Sequence, residues 1–312
     1  MQQQAIALCL ATGYVSAGTV EMLADDKQNF YFLEMNTRLQ VEHAITELVS
    51  GEDLVEHMLW IAAGKPIPAR LLVNKGCLDA NGWAIESRVY AEDPLRNFLP
   101  SIGPLVAYKE PTLVPKGADS EFAVRMDTGV REGDAISMWY DPMISKLCTW
   151  GRDRDEAIAA MERALDEYFI KGVANNISFI RSILRNAVFR KGLYGTKFIG
   201  SEYPDGFRGV ELTDQEEFRF VAISAALHLA RQESRVRAPQ SQYDAVSHGN
   251  LADDELLENR DLFVALSSPS RPDSPEQLFR VRTKLEEGVL DVDVSLVQDD
   301  VVLRVSYISA LY

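Results

Sequence analysis

Between Leu33 and His43 the chain reads Leu-Glu-Met-Asn-Thr-Arg-Leu-Gln-Val-Glu-His, and every second residue from Glu34 to Glu42 is polar. On an extended backbone alternate side chains share a side. Glu34, Asn36, Arg38, Gln40 and Glu42 are therefore expected to project one way, against Met35, Thr37, Leu39 and Val41 on the other. A solvated strand face would look the same. A second carboxylate argues against that reading. Glu21 lies in the β-rich run from Gly18 to Leu23, which the polar turn from Asp25 to Asn29 folds back on Phe30 to Glu34 as a hairpin. The hairpin sets Glu21 across from Glu34. Two carboxylates with a nearby Asn amide make an all-oxygen donor set, suited to Mg²⁺ or Mn²⁺ holding polyphosphate. Taken alone, the same two glutamates are an exposed hairpin pair.

The elements that must position these groups come next. Gln4 to Thr12 ends a helix closed by Gly13, and Glu52 to Ala63 places Leu54, Val55, Met58, Ile61 and Ala62 on one helical face before Gly64 and Pro66 stop it. Residues 81 to 150 read as short strands with Pro and Gly turns. Asp153 to Phe169 and Asn175 to Phe189 are expected amphipathic helices, and Asp214 to Gln232 one long helix. Ser234 to Glu258 is polar and poorly patterned. Alternating runs at Leu262–Leu266, Gln277–Arg282, Val289–Ser295 and Val301–Tyr307 then predict half-buried antiparallel strands. A boundary is expected near residue 208. The fold class is α+β throughout, with no internal repeat.

Bulk properties exclude several functions. The 312 residues leave room for two domains, and a formal net charge of −15 argues against nucleic acid or an anionic membrane as partner, since both reward basic patches. Cys9, Cys77 and Cys148 are far apart and offer no metal or disulfide framework, which points to a reducing compartment. No apolar run reaches the roughly 20 residues needed to span a bilayer, and the N-terminus lacks the basic region of a signal peptide. A bacterial cytoplasm or a mitochondrial matrix fits.

Glu21 followed by Phe30-Tyr-Phe-Leu-Glu-Met-Asn-Thr-Arg-Leu-Gln-Val-Glu-His43 resembles the biotin carboxylase branch of the ATP-grasp ligases. The resemblance continues through Glu86-Ser-Arg-Val-Tyr-Ala-Glu-Asp-Pro94, Phe98-Leu-Pro-Ser-Ile-Gly-Pro104 and Tyr140-Asp-Pro-Met-Ile-Ser-Lys146, covering roughly residues 1 to 200. It implies that Glu21, Glu34 and Asn36 hold Mg²⁺ or Mn²⁺ on the ATP phosphates. It implies further that Arg38, Gln40 and the backbone of Val41 hold bicarbonate, and that Glu42 is the base that deprotonates it. Arg125, in Phe122-Ala-Val-Arg-Met126, falls where the family has the arginine that stabilises the biotin enolate. An ordinary surface arginine is the alternative there. These roles are chemically apt, because a guanidinium fork matches a planar anion and a fixed cation stabilises a developing oxyanion. His43 is expected to orient the loop, His57 to be a partly exposed helix residue, and Lys146 to snorkel. Trp60, Trp139 and Tyr140 read as core or domain-contact aromatics.

The chain also departs from the family. Ala44 stands where a Pro usually follows the motif's His, which loses a rigid φ but no functional group. The Gly-rich lid and ATP-binding lysines are expected upstream of Met1. No Ala-Met-Lys-Met motif is present, so biotin is expected on a separate carrier domain. Because ATP-dependent chemistry needs the nucleotide half of the site as well as the metal and bicarbonate half, the chain is expected to be inactive alone. Three peripheral stretches, Asn81-Gly-Trp-Ala84, Gly195-Thr-Lys-Phe-Ile199 and Tyr203 to Thr213, resemble the propionyl-CoA-directed branch of the family. The resemblance divides the chain into residues 1–208, part of the ATP-grasp domain with the C-terminal domain of the carboxylase, and 209–312. The latter would begin the domain that joins biotin carboxylase to the carboxyltransferase β subunit, a long helix with an incomplete antiparallel β-barrel. Another acyl-CoA carboxylase, or a non-catalytic fragment binding the carboxyltransferase subunit, are the alternatives.

Overall fold

The computed structural model describes residues 1–69, 71–72, 79–112, 122–209, 213–237, 260–266, 277–286, 289–296 and 302–308. Cys77 and the polar stretch 238–258 lie outside them. Contacts divide the chain into two compact units, Met1–Phe207 and Arg208–Tyr312.

The first unit opens with helix α1 (Gln2–Thr12), closed by Gly13 at a left-handed φ of 65°. Strands β1 (Thr19–Ala24) and β2 (Phe30–Asn36) form the expected antiparallel hairpin. Its turn is built by Asp25, whose carboxylate accepts from the backbone N–H of Lys27 and of Asn29. Helices α2 (His43–Ser50) and α3 (Leu54–Ala62) follow. The first of these has no counterpart among the expected elements. Helix α3 starts later than expected because Asp53 is its N-cap, accepting from the Glu56 N–H at 2.7 Å.

Strands β3 (Trp83–Tyr90), β4 (Phe122–Thr128) and β5 (Met143–Gly151) make a three-stranded antiparallel sheet with β5 at its centre. Its two faces differ sharply. Leu147 and Thr149 turn to helix α4 (Arg154–Glu167), where Leu147 joins Ile158, Met161, Ala164 and Leu165 in one buried cluster and the Thr149 hydroxyl donates to the Ala157 carbonyl. The opposite face carries Lys146 and Cys148, flanked in register by Arg88 and Glu86 on β3 and by Asp127 and Arg125 on β4. The sequence-expected helix from Asn175 to Phe189 is in fact two, α5 (Ile177–Arg185) and α6 (Ala187–Arg190). Asn186 takes an extended ψ of 131° between them, and its side chain accepts from the Val188 and Phe189 N–H groups. Asn competes for nearby backbone donors in this way and so breaks a helix that apolar periodicity alone would run through.

Gly172 has a φ of +116°, and a Cβ there would lie 2.0 Å from the Pro104 carbonyl oxygen. Both the backbone conformation and the space require glycine. Gly172→Ala is expected to destabilise the unit by about 2–4 kcal/mol, read as a lowered denaturation midpoint at unchanged slope. A midpoint equal to that of the parent chain would show that the segment accommodates a side chain.

The second unit begins with the long helix α7 (Asp214–Arg237). Thr213 and Glu216 form a reciprocal capping box: the Glu216 carboxylate accepts from the Thr213 N–H at 2.9 Å, and the Thr213 hydroxyl accepts from the Glu216 N–H at 3.4 Å. Strands β6 (Arg260–Leu266), β7 (Gln277–Glu286), β8 (Val289–Leu296) and β9 (Val302–Ile308) follow as an antiparallel meander in chain order. Phe218 of α7 meets Phe279 of β7 edge-on at 5.3 Å, and Val221, Val281 and Val294 are fully buried. The described strands form an open sheet.

Candidate functional site

The hairpin does bring two carboxylates together. Glu21 and Glu34 face each other directly across β1 and β2. Just beyond Glu21 the register slips at a bulge, so that Met22 pairs with Phe32. The Asn36 amide donates to the Glu21 carboxylate at 2.7 Å, and the Gln40 amide reaches the same oxygen at 3.4 Å. Glu34 remains exposed. This donor set fits a hard cation. Among the described residues no group of three His, Cys, Asp or Glu could enclose a metal alone, and Mg²⁺ is commonly held by one or two carboxylates together with substrate phosphates and water.

The expectation of one continuous polar face from Glu34 to Glu42 is corrected. The strand ends at Asn36, because its partner β1 begins at Thr19, which faces Asn36. Residues 37–42 leave the ladder and curl back, and Glu42 becomes the residue that precedes α2. Glu34 and Asn36 thus stay on the hairpin while the remaining polar groups diverge. Gln40 turns towards Glu21. Arg38 is exposed, with one Nη1 contact of 3.3 Å to the Leu39 carbonyl. Glu42 crosses to the sheet and ion-pairs with Arg88 at 2.9 Å.

His43 orients this loop, with Nδ1 at 2.8 Å from the Gln40 carbonyl oxygen. His57 is more enclosed than expected, its side chain 12% exposed and its Nε2 2.8 Å from Glu52. Lys146 does not snorkel. Its side chain is 6% exposed and its ammonium is paired inside with Asp127 at 3.1 Å, because position 146 falls on the sheet face that α2 and the loop cover. Trp139 and Tyr140 are not core residues of this unit: both are 85% exposed. Trp60 is exposed as well, its indole N–H donating to Glu56 at 3.1 Å.

Arg125 is no ordinary surface arginine. Asp127 receives a fork from it, Nε to Oδ1 at 2.8 Å and Nη2 to Oδ2 at 3.1 Å, while Nη1 donates to Glu47 at 2.5 Å. The bonds to Asp127 raise the guanidinium pKa further above its ordinary value, burial opposes this, and Glu47 adds to the rise. Burial by itself would raise the Asp127 carboxyl. The hydrogen bonds from Arg125 and Lys146 outweigh it and hold that carboxyl below its usual range. Glu47 is itself buried and also accepts the Leu54 N–H at 2.7 Å, tying α2 to the start of α3.

Arg88, Asp127 and Glu47 do not stand out in the sequence alone. A signal is nonetheless present for two of them. Arg88 alternates with Glu86 and Asp127 with Arg125, the period-two pattern of one charged sheet face.

On the same face Cys148 is buried, and burial followed by the Glu86 carboxylate pushes its thiol up to about 12. At pH 8 that leaves roughly one thiolate in 10⁴, and the thiolate is the reactive form. Cys148 is therefore expected to resist alkylation in the folded chain and to react fully only after denaturation, as read by peptide mass spectrometry. Rapid native alkylation would contradict this burial.

Residues 86–201 match the model of the biotin carboxylase C-terminal domain, and residues 1–70 that of the carbamoyl-phosphate synthase L chain ATP-binding domain. The propionyl-CoA carboxylase alpha chain of Ruegeria pomeroyi is 49% identical over 249 residues, which are 76% of this chain and 36% of that one. The human mitochondrial propionyl-CoA carboxylase alpha chain is 50% identical over 233 residues, 74% of this chain and 30% of that protein. The chain thus spans about a third of the length of these curated relatives. Among solved structures, the biotin carboxylase domain of the Hydrogenobacter thermophilus 2-oxoglutarate carboxylase, in complex with MgADP, ADP and bicarbonate, is similar at a TM-score of 0.58 and 36% identity. That match covers 64% of this chain and 41% of the other. Among the described residues no helix is long and apolar enough to cross a membrane.

Proposed function

Because the chain belongs to the biotin carboxylase family, we propose that it forms the metal- and bicarbonate-binding part of the biotin carboxylase component of a propionyl-CoA carboxylase. The reaction is the ATP- and bicarbonate-dependent carboxylation of biotin, for transfer to propionyl-CoA. The observation that carries this reading is the convergence of Glu34, Asn36 and Gln40 on Glu21, beside a loop that places Glu42 on Arg88.

Glu21, Glu34 and Asn36 would hold Mg²⁺ or Mn²⁺, which when bound neutralises and orients the ATP phosphates. Arg38, Gln40 and the Val41 N–H bind bicarbonate in this proposal. Glu42 takes the bicarbonate proton, making the oxygen that ATP activates a nucleophile. Arg125, held by Asp127 and Glu47, offers a positive charge to the enolate oxygen of biotin, which arrives on a carrier domain. Residues 209–312 would contribute to the surface that meets the carboxyltransferase β subunit, with β6 to β9 as the first strands of a barrel around α7. The identities to propionyl-CoA carboxylase alpha chains support the choice of acyl-CoA.

Glu34→Gln in the complete carboxylase tests the metal assignment. Loss of one anionic ligand from a hard-cation site is expected to raise the Mg²⁺ concentration for half-maximal rate by roughly tenfold, with the fold intact. A Mg²⁺ dependence identical to that of the parent enzyme would refute the assignment.

A further inference from the structure

We infer that Lys146 is a positioning residue for bicarbonate, acting through the Val41 peptide; this rests on the reading that the loop 38–42 holds bicarbonate. Lys146 sits at the centre of the central strand β5, where neighbouring side chains from Ile144 to Thr149 are all buried. A Leu or Met would fill that place without the cost of removing an ammonium from water, so the charge itself needs an explanation. Its partners supply one. The Lys146 Nζ donates to the Val41 carbonyl at 2.5 Å and is 3.1 Å from Asp127 Oδ2. Across the ladder Lys146 pairs with Asp127 on β4 and with Arg88 on β3.

The loop is therefore pinned from beneath at two successive residues. Arg88 takes the Glu42 side chain, and Lys146 takes the Val41 carbonyl. On its other side the Gln40 carbonyl accepts the His43 backbone N–H at 3.2 Å and lies 2.8 Å from the imidazole Nδ1. These contacts orient the two peptides that flank Val41, including the one whose N–H is assigned to bicarbonate. The strap also has a far end: Asp127, which Lys146 shares with Arg125, connects the bicarbonate loop to the guanidinium proposed to face biotin. Lys146 touches neither substrate in this arrangement. It holds the peptide that follows Val41 while His43 holds the one that precedes it. The two contacts together limit where the anion-binding Val41 N–H can point, which matters because a small planar anion has few contacts to lose.

The test compares Lys146→Met, Asp127→Asn and Arg38→Gln in the complete carboxylase, with KM for bicarbonate and KM for Mg·ATP measured separately. Lys146→Met fills the same volume and leaves Asp127 paired with Arg125. It is expected to raise KM for bicarbonate roughly tenfold while KM for Mg·ATP stays within about twofold. Asp127→Asn loosens the strap from its other end and is expected to move bicarbonate KM in the same direction by a smaller factor. It serves as the reading should Lys146→Met fail to fold. An unchanged bicarbonate KM in a folded Lys146→Met, or, should that variant not fold, in Asp127→Asn, with the Arg38→Gln value raised, overturns the role of Lys146 and leaves the bicarbonate site standing. An unchanged value in Arg38→Gln overturns the site reading itself, and the role of Lys146 with it.

Discussion

Glu42→Gln in the complete carboxylase is expected to lower the bicarbonate-dependent rate by roughly 10²–10⁴-fold, the span typical of a positioned general base. The substitution is close to isosteric. A Gln at this position can still accept a hydrogen bond from Arg88, whose Nη2 lies 2.9 Å from the Glu42 carboxylate, so the loop keeps its anchor on the sheet. What disappears is the capacity to take a proton. The neighbouring hairpin carries the proposed metal ligands on Glu21 and Glu34, which the substitution does not touch, and KM for Mg·ATP should therefore stay within about threefold. Loss of ATP affinity with the carboxylation step intact would assign Glu42 to the nucleotide side instead.

Arg125→Gln should lower carboxylation of biotin by about 10²–10³-fold, the usual cost of removing one fixed donor from a developing oxyanion. The surroundings make the outcome readable. Asp127 keeps a cation after the substitution, because Lys146 lies 3.1 Å away. Glu47 keeps the Leu54 N–H but loses its bond to the guanidinium. A stability loss of about 1–3 kcal/mol is expected from that buried carboxylate, which leaves a folded protein to assay. Carboxylation of biotin at the parent rate would return Arg125 to a structural role as the clasp between β4 and α2.

Much of this is legible in the residues, and the failures have physical causes. The hairpin can be read because Asp25 to Asn29 is turn chemistry between two β-rich runs, and the opposition of Glu21 and Glu34 follows from it. The polar row beyond Asn36 misleads because period-two alternation implies a shared face only while a partner strand continues. Here β1 ends the pairing at Thr19, and the loop that follows places Gln40 and Glu42 in different directions. Helix α2 stays hidden for a related reason: its first residue, His43, closes a motif that reads as extended. Lys146 defies the snorkelling expectation because sequence position tells that a strand is buried but not which of its faces meets charge. The alternation of Glu86 with Arg88 and of Arg125 with Asp127 holds that information, and it becomes plain once the three strands are aligned.

Cleavage of ATP in the presence of bicarbonate and the absence of biotin tests the central division of labour most directly. In the proposed reaction Glu42 acts on bicarbonate before biotin is needed, whereas Arg125 acts only on biotin. Measured side by side in the complete carboxylase, Glu42→Gln should abolish most of the bicarbonate-stimulated cleavage, and Arg125→Gln should retain it to within about threefold. Equal loss in both variants, or retention in Glu42→Gln with loss in Arg125→Gln, would contradict the assignment of the loop 38–42 to bicarbonate and of the β4 arginine to biotin.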